Sequence, residues 1–287
     1  PAQHDESARR IALANWVVRH DNPLTWRSIV NRLWQHHFGR ALADSPNDLG
    51  RMGQLPTHPR LLDWLAVRFR DEGQSIKRVH RLLVSSRTYR QVALSNTTGA
   101  TRDSDNRFLW RMNRRKLEAE ALRDTTLLIA DRWDSRMGGP GFRDFVLERP
   151  EHSPHYEYHK HDPLDPTTHR RSIYRFLVRS QPQPFMEVLD CADPSQMVDK
   201  RNETVTALQS LAMLNNAFVV AMSEQFARRV AREHEETSAQ IHAAFELAIC
   251  REPTADERVA LEAYAREFGL ANTCRVILNM NEFSFVD

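Results

Sequence analysis

The sequence predicts a mainly α-helical protein in which two helical halves flank a loop-rich middle segment with short β-strands. In the first and last thirds, apolar residues recur every three or four positions, the spacing of one buried helix face. Between the two halves, proline, histidine and arginine concentrate in short stretches typical of strands and turns. We therefore expect an N-terminal half at 1–133, a middle segment at 134–203 and a C-terminal half at 204–287, together forming one compact domain.

The helices of the N-terminal half are marked by their ends. Asn22, followed by proline, is typical of a helix start, and Gly39 is typical of the end of that helix. Ser75 is a typical N-cap for a later helix. Residues 94–105 are polar, which favours a flexible loop, and a charged helix follows from about Lys116 to Arg132.

The residue pattern of the middle segment predicts strands instead of helices. Short runs of aromatic and β-branched residues occur at Phe142–Leu147, Tyr156–Tyr158 and Ile173–Val178. The prolines and glycines around these runs are typical of turns, so the strands should be short.

The C-terminal half is helical again. Apolar residues from Leu208 to Val230 predict one long buried helix, so that Leu211→Ala should cost about 2–5 kcal/mol as a core truncation. A further helix begins with a capping box at Thr254–Glu257 and ends at Gly269.

Composition excludes several classes of protein. The chain has a formal net charge of +2, and its arginines are interleaved with acidic residues, which argues against a nucleic-acid-binding face. Its apolar runs are too short to span a membrane. No signal peptide opens the chain, which starts abruptly as a fragment would, so its absence says little about export. Serine-hydrolase and nucleotide-binding motifs are absent as well.

Cysteine spacing bears on cofactors. Cys191, Cys250 and Cys274 form no CxxC or CxxCH motif, which excludes a zinc ribbon and covalently attached haem, so we expect no haem within this chain. Three cysteines without paired spacing are expected to be free thiols.

Histidines cluster just before the arginine-rich stretch. If the segment is extended, His155, Glu157, His159 and His161 alternate onto one face, and imidazole with carboxylate suits a divalent metal such as zinc, nickel, copper or iron. Glu151 and His152 lie beside them in sequence. Two alternatives remain open: a solvated, proline-flanked loop and a polar pocket without metal.

Arginines follow at a spacing of four residues. Arg171, Arg175 and Arg179 would share one side of a strand, and unpaired burial of such charges is costly. Asp190 and Asp193, with Glu203, are candidate partners in a salt-bridge network. The alternative is a site for an anionic ligand.

The two unusual segments are joined by few residues, so we expect them to lie close together. Together they would line one polar pocket with His155, His159, Arg175, Arg179 and Asp190. A separation beyond about 10 Å between the imidazoles and the Arg175 guanidinium would exclude a single pocket.

Long motifs resemble one family. The chain resembles the planctomycete surface domain family, a C-terminal domain of unknown function in large proteins of planctomycetes and related bacteria. The motifs that carry the resemblance cover nearly the whole chain; they are residues 29–40, 46–48, 56–59, 61–66, 86–91, 114–124, 171–195 and 207–216.

The resemblance implies a cellular location for the domain but no activity. Family members usually carry a secretion signal and a further domain, and many carry a cytochrome c-like haem module, which implies a periplasmic or cell-surface location. We therefore expect a non-catalytic interaction or scaffold domain whose partners are other domains of the same protein, with a polysaccharide as a further partner. The alternative is an enzyme that acts on an extracellular substrate, a carbohydrate for example, in the polar pocket, with or without a metal.

Overall fold

Helices dominate the computed structural model, which describes residues 5–149 and 153–286. The strands are two or three residues long, and turns and loops prevail in the middle of the chain. The structure confirms the predicted mainly α class with a loop-rich middle. Within the described ranges, no helix has the length and apolarity needed to cross a membrane.

The chain divides into two compact units, one ending at Arg115 and one spanning Lys116–Val286. The described part of the N-terminal unit contains the helices α1 (Glu6–Val17), α2 (Pro23–Phe38), α3 (Pro59–Asp71), α4 (Ile76–Val84) and α5 (Thr97–Arg102). The α2 helix packs against α3 and α4. The apolar core of this unit includes Val30, Trp34 and Phe38 from α2.

The boundary between the units falls within a short strand, and the second unit then alternates helices with turns before its helical C-terminal part. Its elements are β1 (Arg115–Lys116), α6 (Ala119–Ile129), β2 (Val146–Glu148), β3 (His155–Glu157), α7 (Pro184–Val188), α8 (Ala207–Asn215), α9 (Ala217–Glu233), α10 (Thr237–Ile249), α11 (Ala255–Phe268), α12 (Leu270–Leu278), α13 (Asn281–Ser284) and β4 (Phe285–Val286), with 3₁₀ turns at Tyr158–Lys160, Pro166–Thr168 and Ser172–Tyr174.

The α9 helix is the centre of the second unit. It packs against α12, α10, α8 and α6. Phe226 on α9, Phe245 on α10 and Ile277 on α12 are fully buried in one apolar cluster. Because α6 joins the same cluster, the middle segment that follows α6 is held against this helical core.

The prediction of one continuous helix from Leu208 to Val230 is wrong, because the helix is interrupted at Asn216. The backbone of Asn216 is extended (φ −66°, ψ 134°). Its N–H donates a hydrogen bond to Ala212 O at the end of α8, and its side chain accepts a hydrogen bond from Phe218 N at the start of α9. The interruption changes which face is buried. Leu208 and Leu211 are 67% and 54% exposed, so the predicted core role of Leu211 is wrong.

Two further local predictions are corrected. Part of the loop predicted at 94–105 is α5, because the Asn96 side chain accepts a hydrogen bond from Gly99 N and caps the helix. The strand predicted at Ile173–Val178 is a 3₁₀ turn followed by a single bridge between Phe142 and Arg175. The Asp124 carboxylate binds both Ser172 N and Ser172 Oγ, which turns the chain at that point.

Other predictions are confirmed. Gly39 ends α2 in the left-handed conformation (φ 76°), Ser75 caps α4, and the capping box begins α11 at Thr254. The strands β2 and β3 pair antiparallel with Leu147 opposite Tyr156, and β3 is displaced by one residue from the predicted bounds. The prediction of a strand at Phe142–Leu147 is mostly wrong, because β2 contains only the last two of those residues. Cys191, Cys250 and Cys274 are free.

Candidate functional site

Three charged side chains form a buried cluster in the second unit: Arg123, Asp144 and Arg175, called here the ionic cluster. Arg123 projects from α6 and donates to Arg170 O (3.1 Å) and Thr168 O (2.6 Å). Those carbonyls hold the guanidinium inside the protein, where burial lowers the pKa of Arg123 to about 10. The helix thus fixes one cation of the cluster against the turns of the middle segment.

Asp144 is the carboxylate of the cluster and is only 7% exposed. Its Oδ2 lies 3.8 Å from Nη1 of Arg175, which is longer than a hydrogen bond, and its Oδ1 has no hydrogen-bond partner. Burial raises the pKa of Asp144, although Arg175 and Arg123 act in the opposite direction. A buried carboxylate that lacks donors is costly, so this group is incompletely satisfied by the protein alone.

A cavity of about 290 Å³ opens beside this carboxylate, and we call it the Asp144 cavity. Its wall combines polar groups with aromatic rings, as small-molecule sites commonly do. The polar lining includes Arg123, Asp144, Tyr158, His159, His161 and Gln183, and the aromatic lining includes Phe185 and Phe218.

Tyr158 brings a hydroxyl group to the wall. Its Oη donates to Gln181 O at 2.8 Å. Burial and the nearby Asp144 raise the pKa of Tyr158 to about 12, so the phenol keeps its proton at neutral pH. The ring contacts Phe145 edge-on, which fixes the position of the side chain.

A second cavity, of about 360 Å³, lies on the Arg175 side of the ionic cluster. Arg175, Asp190, Cys191 and Arg201 belong to its lining. Nη2 of Arg175 lies 3.8 Å from the Cys191 sulfur, and that thiol donates to Glu120 at 3.4 Å. Burial and Glu120 raise the pKa of Cys191, so the sulfur remains a protonated thiol.

The structure distributes the predicted pocket residues between the two cavities. His159 lines the Asp144 cavity, whereas Arg175 and Asp190 line the second one. His155 lies on β3 with an exposed imidazole 4.0 Å from Glu157. Arg179 is exposed and reaches Ser195 O at 3.5 Å. Gln183 lines both cavities, and the pair of Arg175 and Asp144 places one charged side chain in the lining of each.

The predicted alternation of the histidine segment is wrong. Only His155–Glu157 is strand, and a 3₁₀ turn follows, so the four side chains do not share one extended face. Glu157 lies between His155 and His159, 3.3 Å from the latter, whereas His161 is 3.3 Å from Thr168 Oγ1. Among the described residues, no three His, Cys, Asp or Glu side chains are grouped closely enough to hold a metal ion. Metal binding here stays a prediction, and Glu151 and His152 lie outside the described residues.

The row of arginines is also divided by a turn. Arg171 and Arg179 are exposed while Arg175 is buried against Asp144, because the 3₁₀ turn at 172–174 breaks the period of a strand. Asp190 is bound by Lys116 at 2.8 Å instead of by the row. Asp193 accepts bonds from Ser195 and Gln196.

Sequence reasoning missed Arg123, Asp144 and Tyr158. The signal for Arg123 was available, because it stands next to Leu122 on a helix whose apolar residues face the core. A charged residue at that position must find partners inside the protein. Asp144 carries no comparable signal, since it lies in a short irregular run between two phenylalanines.

The pKa of His169, which lies behind the cavity wall, gives a pH-dependent prediction. Burial lowers the pKa of His169, while the bond between Nε2 and Pro163 O (2.9 Å) acts in the opposite direction. As the pH falls, His169 is therefore protonated in the unfolded chain at a higher pH than in the folded protein. The contribution of the neutral His169 imidazole to the free energy of unfolding is complete above about pH 6.5, and it is lost as the pH falls from there through the pKa of His169 in the folded protein.

We expect His169→Gln to flatten this loss of stability. Urea denaturation of wild type and variant between about pH 7.5 and 5.5 measures the effect. The wild-type free energy of unfolding should decrease more steeply than that of the variant. Equal slopes would show that His169 does not remain neutral in the folded state.

Comparison with known proteins gives a family and no activity. No curated protein and no solved structure matches this chain. One family model matches residues 9–265, which covers most of both units and includes the ionic cluster and both cavities. The chain belongs to that family, PSD1, a family of proteins of unknown function (DUF1553).

Proposed function

We propose that this chain is a non-catalytic interaction domain that binds a carbohydrate in the Asp144 cavity. The observation that carries the proposal is the buried Asp144 carboxylate, whose Oδ1 has no hydrogen-bond partner and whose nearest cation is 3.8 Å away. Oδ1 itself is enclosed by protein atoms, but the Asp144 side chain lines the cavity, so a ligand hydroxyl that donates to this carboxylate from the cavity would add a charge-assisted hydrogen bond. Sugars present several such donors on a small frame.

The aromatic side chains of the cavity support the same ligand class. The faces of sugar rings carry C–H groups that pack against aromatic rings, while their hydroxyls need polar partners. Phe218 and Phe185 lie in the lining with ring centroids 6.0 Å apart, and Gln183 supplies an amide beside them. The cavity therefore offers both kinds of contact within about 290 Å³.

The lining favours binding over hydrolysis. Glycoside hydrolysis generally needs two carboxyl groups on opposite sides of the scissile bond. Within the described lining of this cavity, Asp144 is the carboxylate, and the other titratable groups are Arg123, Tyr158, His159 and His161. This composition supports the interaction domain over the enzyme.

The proposal also includes the cellular location of the domain and its neighbouring domains. The resemblance of the motifs to exported proteins supports a periplasmic or cell-surface location. There the domain would act beside other domains of the same protein, including a cytochrome c-like haem module. A polysaccharide at the cell surface would be its external partner.

The proposal is tested by titration with saccharides in a calorimeter after a thermal-shift screen of neutral mono- and oligosaccharides. We expect a sugar that binds wild type to bind Asp144→Asn about tenfold or more weakly, because the amide replaces a charged acceptor. The exposed carboxylate Asp131, paired with Arg232, supplies the matched control Asp131→Asn, which should bind as wild type does.

A second variant separates binding from folding. Ala217 is an exposed residue at the start of α9 that lines the cavity, so Ala217→Leu adds volume there without changing charge. Loss of binding in this variant, with an unchanged melting temperature, supports the site. Unchanged binding in both cavity variants, or no neutral saccharide that binds wild type, contradicts it.

A further inference from the structure

A groove of about 800 Å³ lies on the other side of the segment that carries Asp144. Phe142 and Arg143 line this groove, whereas Asp144 lines the cavity described above. The groove follows the glycine-rich loop Gly138–Gly141, and it is more open than either cavity. Its shape suits an extended chain better than an enclosed small molecule.

The groove is lined by arginines. Arg136, Arg143 and Arg170 belong to its lining, and the described lining residues include no Asp or Glu. Arg136 is 73% exposed and binds Asp134, which lies outside the lining. Arg143 is exposed and lies over the Phe176 ring at 5.5 Å, with no ion pair to any described residue. Two guanidiniums can thus reach a ligand from the rim.

The third arginine holds the glycine-rich loop in place. Arg170 is buried and donates to Pro140 O at 2.8 Å and to Gly138 O, and its guanidinium lies 4.0 Å from the centroid of the Tyr174 ring. The hydroxyl of Tyr174 accepts a bond from Gly138 N (2.7 Å). These contacts fix the floor of the groove in advance, which lowers the entropic cost of binding.

The glycines keep the floor of the groove flat. Gly138 and Gly139 both have φ of +77°, a conformation that side chains disfavour, and no atom lies within 4 Å of the Cβ position at either residue. Gly141 is required for another reason, since a Cβ there would lie 2.8 Å from Tyr174 O. The backbone therefore stays open to a ligand that runs between the two exposed arginines.

We propose that this groove binds an acidic polysaccharide, one that carries sulfate or carboxylate groups. Guanidinium groups form paired hydrogen bonds with both kinds of oxyanion. Met137, which is 70% exposed, adds apolar surface for the faces of the sugar rings. A nucleic acid fits less well, because the chain has a formal net charge of only +2 and its arginines are interleaved with acidic residues in the sequence. The groove is independent of the Asp144 cavity.

Fluorescence anisotropy with labelled dextran sulfate and labelled polygalacturonate tests the groove, with uncharged dextran as a third probe. We expect at least one acidic polymer to bind wild type, and binding to weaken as salt is added. The double variant Arg136→Gln with Arg143→Gln should bind about tenfold or more weakly. Both side chains are exposed, so the variant should fold as wild type does.

Arg258 supplies the matched control, because it is an exposed arginine on α11, which does not line the groove. Together with Arg228→Gln on α9, which is also exposed and outside the groove lining, Arg258→Gln removes two charges, as the double variant does, and should keep binding within about twofold of wild type. Dextran binding as tight as that of the acidic polymers, equal losses in the control and the double variant, or tighter binding of duplex DNA would each overturn the proposal. Asp144→Asn should leave the acidic polymer bound, which separates this site from the cavity.

Discussion

Phe226→Ala is expected to lower the free energy of unfolding of the second unit by about 3–5 kcal/mol. Phe226 lies at the centre of α9 and is 0% exposed. It belongs to the apolar cluster that joins α6, α9, α10 and α12, so truncation removes buried apolar area and leaves a cavity between these helices. Urea denaturation, with hydrogen exchange of α9 peptides as a local readout, measures the loss.

Leu211→Ala is the matched control for this prediction. Leu211 lies on α8 and is about half exposed, so its truncation should change the free energy of unfolding by about 0.5 kcal/mol or less. This expectation replaces the core role that the apolar spacing predicted for Leu211. A large loss for Leu211→Ala with a small one for Phe226→Ala would contradict the described packing of α8 and α9.

Lys116→Met is expected to destabilise the same unit by about 3–5 kcal/mol, because it leaves Asp190 without its cation. Nζ of Lys116 is nearly buried and donates to Asp190 Oδ2 (2.8 Å), Thr204 O (2.8 Å) and Gln209 Oε1 (3.0 Å). These bonds tie the start of the unit to the turn at Asp190 and to α8. Met keeps the apolar stem and removes the charge.

The Asp190 carboxylate gives this prediction a pH signature. Burial acts to raise the pKa of Asp190, but the bonds from Lys116 and Thr204 outweigh it and lower the pKa. The stabilisation is therefore present above about pH 3.8 and is lost as the pH falls through the folded pKa. The difference between wild type and Lys116→Met should shrink over that acidic range.

A double variant completes the test of the buried pair. Lys116→Met with Asp190→Asn removes both charges, so it should lose less free energy of unfolding than the two single variants added together. Additive losses in the double variant would show that the two side chains do not depend on each other.

The sequence predicted the fold class because helix signals are local. Asn22, Gly39, Ser75 and the capping box at Thr254 each determine a helix end through backbone bonds made within a few residues. The interruption at Asn216 was missed because the apolar spacing continues across it. An asparagine that ends one helix and caps the next leaves no trace in that pattern.

The site was harder to predict because its contacts are distant in sequence. Asp124 holds Ser172, Arg123 holds the carbonyls of Arg170 and Thr168, and neither pairing has a periodic signal. The density of unusual residues indicated the region in which the two cavities lie, since Arg175 lines one of them and His159 the other. The prediction of a strand there placed the arginines on one face, which the 3₁₀ turns prevent.

Sugar binding in the Asp144 cavity is tested by a crystal structure of the protein with the saccharide that binds most tightly. We expect a sugar in the Asp144 cavity, with a ring hydroxyl within hydrogen-bond distance of the Asp144 carboxylate, about 2.5–3.0 Å. Phe185 or Phe218 should contact the face of the ring. A sugar bound elsewhere on the protein, with the Asp144 carboxylate untouched, would contradict the account.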